Sequence, residues 1–374
     1  MVKNKIVLMI GIYPPVVGGI TTHIQTILNS SIAKKYKIIE FSTNRPTLGV
    51  YRSKFEYNAI FDLSILLLIK SFLVTFTNII KAPIYLFSKK IDIVHIHTPD
   101  YLIFWENSMY LVISKIFNKK TIIHIHATSF PDFYKNSNRV VKIVIKKILN
   151  MSDKTIILSK NQMSFYKSIL DDKKIMVLNN TVDFNKYNKD VLKNHKDIVE
   201  VVFIGGKEAK RKGIEDIIKS IQVLRDKKIK IIILGDVDKR YVSICKSKDI
   251  DKYVDFKGFV TELDKINILN KADIYILPSY AEGLPISILE AMSAGLAVVS
   301  TFVGSIPDVI EIGENGYLIY PGEYKKLAYF IKFLSENGEI RRRISRNNKE
   351  KIRNFYSIDV LEKKLTSLYD ELVT

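Results

Sequence analysis

The chain has 374 residues, room for two domains, and carries 58 Lys and Arg against 39 Asp and Glu, a formal net charge of +19. A hydrophobic share of 47% and a charged share of 26% exclude a disordered chain and supply enough apolar surface for large cores. Cys245 is the only cysteine, which excludes a disulfide framework and a cysteine-built zinc site and fits a reducing, cytoplasmic context.

Residues 6–12 are apolar behind Lys3 and Lys5, but the run is short, stops at Tyr13-Pro14-Pro15 and lacks a small-residue cleavage site. A buried first strand is expected rather than a signal peptide. Ile- and Val-rich runs at 5–10, 37–41, 91–97, 121–125, 155–158 and 175–178 are apolar on both faces, as parallel strands between helices must be. Helical patterns fall at 22–30, 61–87, 139–151 and 161–170. The stretch 61–87 has about the length of a membrane span. Lys70 and Lys81 would then sit at hydrocarbon depth, and Pro83 lies near its end, so an amphipathic or core-packed helix is expected. Polar residues dominate 183–196, the expected linker. A second series follows, with strands at 200–204, 230–234, 254–256, 274–277, 298–300 and 317–319 and helices at 213–226, 264–271, 285–294 and 324–335. Two such series predict an α/β chain of two doubly wound parallel-sheet domains across a cleft. The expected bounds are 1–184 and 185–354, followed by a last helix at 355–374.

Ligands of such sheets sit beyond the carboxyl ends of the strands, so the loops there are where chemistry is expected. Residues 278–290 follow the strand at 274–277 and enter a helix. Glu282 lies in the loop and Glu290 in the second helical turn; Gly283 permits close backbone approach, and Leu284 leads to Pro285 in the first turn. The helix N-terminus offers its N–H groups to an anion. Ser287 and Glu290 equally have capping-box spacing, and Glu282 reads equally as a solvated loop acid. Residues 203–213 (FIGGKEAKRKG) bring Lys207 and Lys212 to another helix start, which suits a diphosphate or, more plainly, is a solvated basic loop. Gly18 and Gly19 follow the first strand. His95/His97 and His124/His126 are two pairs at i,i+2 spacing, each with both members on one strand face. They read as structural histidines or, less simply, as a zinc set.

The run E-G-L-P-I-S-I-L-E-A-M-S-A-G-L-A-V-V-S-T from Glu282 resembles the signature of the family 4 glycosyltransferases, retaining enzymes that use nucleotide sugars and have the GT-B fold. Leu296 departs from it where the family commonly has proline, as does Gly304-Ser305 where Gly-Gly is usual, with the following acid shifted to Asp308. The resemblance implies that Lys212 contacts the donor diphosphate and that Lys207 stands where the family has arginine, a point charge in place of a planar fork. It implies that the loop with Gly18 and Gly19 closes over the donor phosphates and that His126 faces the transferred sugar. Glu290 is expected on the ribose, Glu282 on the sugar, and residues 257–262, with Val260, against the base. Gly235-Asp236 matches a further strand-end position, and the last helix is expected to return to the first domain. The implied donor is a nucleoside-diphosphate sugar and the implied acceptor a glycan or polyprenyl-linked saccharide, in surface polysaccharide synthesis. Because lysines supply the charge at the diphosphate, and no Asp-x-Asp pair is expected after a strand, no metal and no further cofactor is expected there.

The basic residues are scattered, no nucleic-acid motif is present, and no nucleic-acid partner is expected. Lys142, Lys146 and Lys147 interleave with Val144, Ile145 and Ile148, the pattern of a helix on anionic lipid, although a lysine- and isoleucine-rich composition alone also yields it. Two other functions share the scaffold: a nucleotide-sugar epimerase or phosphorylase, and a catalytically silent subunit. The presence of both Glu282 and Glu290 weighs against the silent subunit.

Overall fold

The computed structural model describes residues 5–16, 18–44, 65–88, 90–187, 198–226 and 228–374. The chain divides into two units, one formed by Met1–Asn179 with Leu361–Thr374 and the other by Asn180–Val360.

In the first unit six parallel strands, β1 (Ile6–Gly11), β2 (Lys37–Ser42), β3 (Ile93–Thr98), β4 (Lys120–Ile125), β5 (Lys154–Ile157) and β6 (Ile175–Val177), are ordered β2-β1-β3-β4-β5-β6. Alternation splits their side chains between two cores. Leu8, Ile10, Val94, Ile96 and Ile123 face helices Tyr101–Ile116 and Arg139–Met151, while Val7, Met9, Ile93, Ile122 and Ile156 face the other way. That second face is covered by Ile24 and Ile27 of helix Gly19–Leu28 and by Leu361, Leu365, Leu368, Tyr369 and Leu372 of helix Ile358–Val373. The last helix therefore belongs to the first unit, where each of its buried leucines contributes about 2 kcal/mol by leaving water.

The second unit repeats the plan with β7 (Val199–Ile204), β8 (Ile229–Leu234), β9 (Val254–Gly258), β10 (Ile274–Leu277), β11 (Ala297–Thr301) and β12 (Gly316–Ile319), ordered β12-β11-β10-β7-β8-β9 and all parallel. Read from β9, this is the dinucleotide-binding order 3-2-1-4-5-6, whose direction of winding reverses between β7 and β10. In the first unit the reversal lies between β1 and β3.

All twelve expected strands are present. The unit boundaries fall at Asn179/Asn180 and Val360/Leu361, against the expected 184/185 and 354/355. Val182 N–H donates to the Tyr356 carbonyl at 2.9 Å and Asn180 Nδ2 to the Leu284 carbonyl at 2.9 Å, which ties 180–184 and 355–357 into the second unit. Of the expected linker, 188–196 lies outside the described residues. Of the expected helix 61–87, Ile65–Ser88 is helical and 61–64 lie outside the described residues. No described helix is long and apolar enough to cross a membrane. Two long helices lie outside the expected set: Tyr101–Ile116 is apolar around most of its circumference and shows no clear stripe, whereas Gly338–Phe355 is polar except for a narrow stripe through Ile340, Ile344 and Ile352. The expected helix 161–170 shortens to a 3₁₀ turn, Lys160–Gln162, and one turn of α-helix, Met163–Lys167.

Candidate active site

At the reversal point of the second unit the loops after β7 and β10 meet. β7 runs out into Gly205-Gly206, a 3₁₀ turn (Gly206–Glu208) and then Lys210-Arg211-Lys212 ahead of helix Ile214–Leu224. Gly213 has φ 88°, and a β-carbon there would stand 2.1 Å from the Pro278 carbonyl oxygen, so only glycine lets the two loops close. Across that contact Tyr280 N–H donates to the Arg211 carbonyl at 2.9 Å.

Lys212 Nζ donates to the Ile204 carbonyl at 3.0 Å, which points the ammonium back over the end of β7. Burial lowers its pKa, and the nearby Glu282 carboxylate opposes that shift. Arg211 lies beside it. Its Nη1 is 3.2 Å from Glu282 Oε1 and also donates to the Ala281 carbonyl, and its Nε donates to Glu208 at 3.0 Å. Ser279 Oγ donates to the same Glu282 oxygen at 2.8 Å. Glu282 is thus an oriented carboxylate in a cationic loop and not a solvated acid. Lys207 is exposed and makes no hydrogen bond or ion pair among the described residues. Arg211 escaped the sequence reading because it looks like one more charge in KRKG; its position next to Lys212 was the only available signal.

Helix Ile286–Ser293 begins one residue after Pro285, whose extended backbone (ψ 121°) makes it the residue before the helix and not part of its first turn. Glu290 is buried, and its Oε1 accepts from the Tyr187 hydroxyl at 2.8 Å and from Lys265 Nζ at 2.6 Å. Oε1 is taken by side chains from two other elements, and Ser287 lies inside the helix rather than at its cap, which removes the capping-box reading. Neither Tyr187 nor Lys265 carries a motif that sequence inspection could pick out. Gly283 and Leu284 occupy the turn between the two glutamates, and Ser305 N–H donates to the Gly283 carbonyl at 2.9 Å. Val260 is half-buried beyond β9, packed against the unit's core.

The loop after β8 holds Gly235 and Asp236-Val237-Asp238, an Asp-x-Asp pair directly after a strand, which corrects the expectation that no strand is followed by one. Asp238 accepts from Arg240 N–H at 2.9 Å and pairs with Arg240 Nε at 3.4 Å, so it serves the start of the next helix.

In the first unit Gly18 and Gly19 form the entry to helix Gly19–Leu28, and no atom lies within 4 Å of a β-carbon built on either. On β3 and β4, and one residue past β4, the histidines gather. His97 and His124 are register partners, His95 stacks on His97 with ring centroids 4.3 Å apart, and His124 on His126 at 4.1 Å. Helix Gly19–Leu28 adds His23, edge-on to His124 at 4.9 Å and to His126 at 5.1 Å. Gly11 makes room for this approach, since a β-carbon there would meet Ile24 at 2.5 Å and His97 at 3.3 Å. His97 Nδ1 and His126 Nε2 share a hydrogen bond of 2.9 Å, and His95 Nδ1 one of 2.7 Å with the Tyr369 hydroxyl. Burial holds all five imidazoles neutral, His23 at about 4 and His95 at about 3. The expected set lacked His23, which comes from a helix some seventy residues before β3.

Two family models divide the chain: Glycosyltransferase Family 4 matches residues 17–186 and Glycosyl transferases group 1 matches 183–351. The capsular polysaccharide biosynthesis glycosyltransferase CapM of Staphylococcus aureus is 25% identical over 54% of this chain and 57% of its own length. An uncharacterized glycosyltransferase of Methanocaldococcus jannaschii is 26% identical over the whole of both chains. The chain spans about half the length of CapM and of the colanic acid glycosyltransferase WcaL of Escherichia coli. Among solved structures, sucrose-phosphate synthase of Thermosynechococcus elongatus superposes with a TM-score of 0.77 at 15% identity over 99% of both chains. Anabaena HepE in complex with UDP gives 0.71 at 16% identity over 98% and 99%. These likenesses show the GT-B fold, and with the two matched models in sequence along it the chain belongs to the family 4 glycosyltransferases.

Proposed function

We propose that this chain transfers a sugar from a nucleoside-diphosphate sugar to a glycan or polyprenyl-linked acceptor, with retention at the anomeric carbon. The observation that carries the reading is the meeting of Lys212, Arg211 and Glu282 at the reversal point of the second sheet, with Glu290 held one helical turn further on. Departure of the nucleoside diphosphate concentrates negative charge on its oxygens. Lys212, with Lys207 and the N–H groups after Gly283, meets that charge where it develops. Glu290 Oε2 is left for the ribose hydroxyls, since both of its hydrogen bonds are on Oε1. Gly18 and Gly19 leave backbone open to phosphate oxygens, and His126 is assigned a sugar hydroxyl. The bond from C1 to the leaving phosphate oxygen breaks, the acceptor oxygen bonds to C1 on the same face, and the acceptor proton passes to the departing phosphate.

The anomeric outcome and the family of donors come from the resemblance, and HepE, solved with UDP and with UDP-glucose, supports a nucleotide-sugar donor. Names such as CapM support a place in polysaccharide synthesis. The proposal extends to an anionic membrane surface for the first unit. Helix Tyr101–Ile116 packs beside both Ile65–Ser88 and Arg139–Met151, and Phe76, Ile84, Leu102, Val112, Val140 and Ile143 stand exposed on these three helices. On the last, Val144, Lys146 and Lys147 of the expected lipid-facing pattern are exposed as well, whereas its Ile145 and Ile148 are buried in the core.

Incubation with a panel of UDP-, GDP-, ADP- and dTDP-sugars and a lipid-linked saccharide, with the product anomer read by NMR, tests the reading. Nucleoside diphosphate released in step with an α-linked product is expected. An inverted anomer, or turnover with no acceptor dependence, rejects it.

A further inference from the structure

Of the histidine cluster of the first unit the sugar-transfer reading uses only His126, at its half-buried end. His23, His97, His124 and His126 each bring a ring nitrogen to one point, and these four atoms all lie within 4.8 Å of one another. The four come from three elements: helix Gly19–Leu28, β3, and β4 with the residue after it. His23 Nε2, His97 Nε2 and both nitrogens of His124 are buried and make no hydrogen bond among the described residues. Buried polar atoms are rarely left this way, and orphaned nitrogens on three of the four clustered rings mark a place where a partner belongs.

We infer that this cluster is a site for a first-row divalent transition ion, zinc by preference, with the four imidazoles as its ligands. A tetrahedral zinc with bonds of about 2.0–2.1 Å sets its ligand nitrogens about 3.3 Å apart. The four nitrogens start within 4.8 Å of one another, so the rings must turn and draw inward to reach that spacing, and the 2.9 Å bond between His97 Nδ1 and His126 Nε2 gives way as His97 or His126 turns to the metal. A donor set of nitrogen alone suits zinc, nickel or copper and gives magnesium or calcium none of the oxygens they need. His95 stands outside the set: its Nδ1 is taken by Tyr369, and its ring stacks on His97. A zinc on Nε2 of His126 fixes that ring with its proton on Nδ1, which orients a donor at the half-buried end of the cluster. The inference is independent of the sugar-transfer reading, because metal content and ligand field are measured on resting protein.

The full chain is stripped with a chelator, equilibrated with zinc chloride, desalted and analysed for metal, and the same protein is loaded with cobalt(II) for its visible spectrum. One zinc per chain is expected, with a rise in Tm of several degrees and the intense visible absorption of four-coordinate cobalt. His23→Gln and His124→Gln should lose the metal, whereas His95→Gln should keep it. Should a variant fail to fold, the cobalt spectrum of the unaltered chain still decides. No zinc retained, a six-coordinate cobalt spectrum, or zinc held equally by His23→Gln and His124→Gln overturns the site and leaves a trapped water as the occupant.

Discussion

Gly304 lies so close to Glu282 that a β-carbon on it would stand 2.1 Å from the Glu282 carbonyl oxygen. Its φ of 55° adds strain for any other residue. Gly304→Ala should push the 279–283 loop away from Arg211, lowering both Tm and kcat/KM. Gly19→Ala meets open space, so thermal unfolding should leave its Tm unchanged while donor KM rises several-fold. A Gly19→Ala enzyme with unaltered kinetics would remove the phosphate role of that turn.

Lys212 is placed to meet charge that grows during the reaction. Lys212→Ala should lower kcat/KM by roughly 10²-fold, with kcat falling as much, as expected for a partner of the transition state. Steady-state kinetics with a matched donor check this, and wild-type kinetics would reassign the diphosphate site.

The same lysine sets a pH dependence. Burial lowers its pKa below the ordinary lysine value, and only the charged form holds a diphosphate. The pH profile of kcat/KM reports the free enzyme. It should fall on the alkaline side with a midpoint below that of an ordinary lysine, and Lys212→Arg should move the fall to higher pH. An alkaline limb unchanged by Lys212→Arg would belong to another group.

Glu290 holds Tyr187 and Lys265 on one oxygen. Glu290→Gln and Tyr187→Phe are expected to raise donor KM with little change in kcat, because a ribose contact persists through the reaction. A fall in kcat at constant KM would place Glu290 in the chemical step.

Lysines supply the positive charge at the proposed diphosphate site, so initial rates with and without added magnesium or manganese should agree within about twofold. Strict dependence on either ion would direct attention to Asp236.

Much of this architecture was legible from residue order. Strands buried on both faces read as unbroken Ile and Val runs, and the alternation of β3 and β4 already set His95 with His97 and His124 with His126. The lines from Glu282 to Glu290 and from Lys207 to Gly213 likewise fall at strand ends, where the winding rules locate ligands. These signals are local, with a period of two or four residues and a loop at the end.

Tertiary structure alone decided which side chains meet. Glu290 finds Tyr187 and Lys265, Glu282 finds Arg211, and His23 joins His97, His124 and His126 in a four-nitrogen cluster. Tyr187, Lys265 and His23 carry no motif, and Arg211 is one charge among several in its loop; each is selected by how its segment packs against another. The sequence by itself determined which segments become strands and helices, since burial period is written in neighbouring residues. The identity of each carboxylate's and imidazole's partner was left to the fold, because hydrogen bonds and ion pairs depend on distances of a few ångströms between segments that the chain order does not relate.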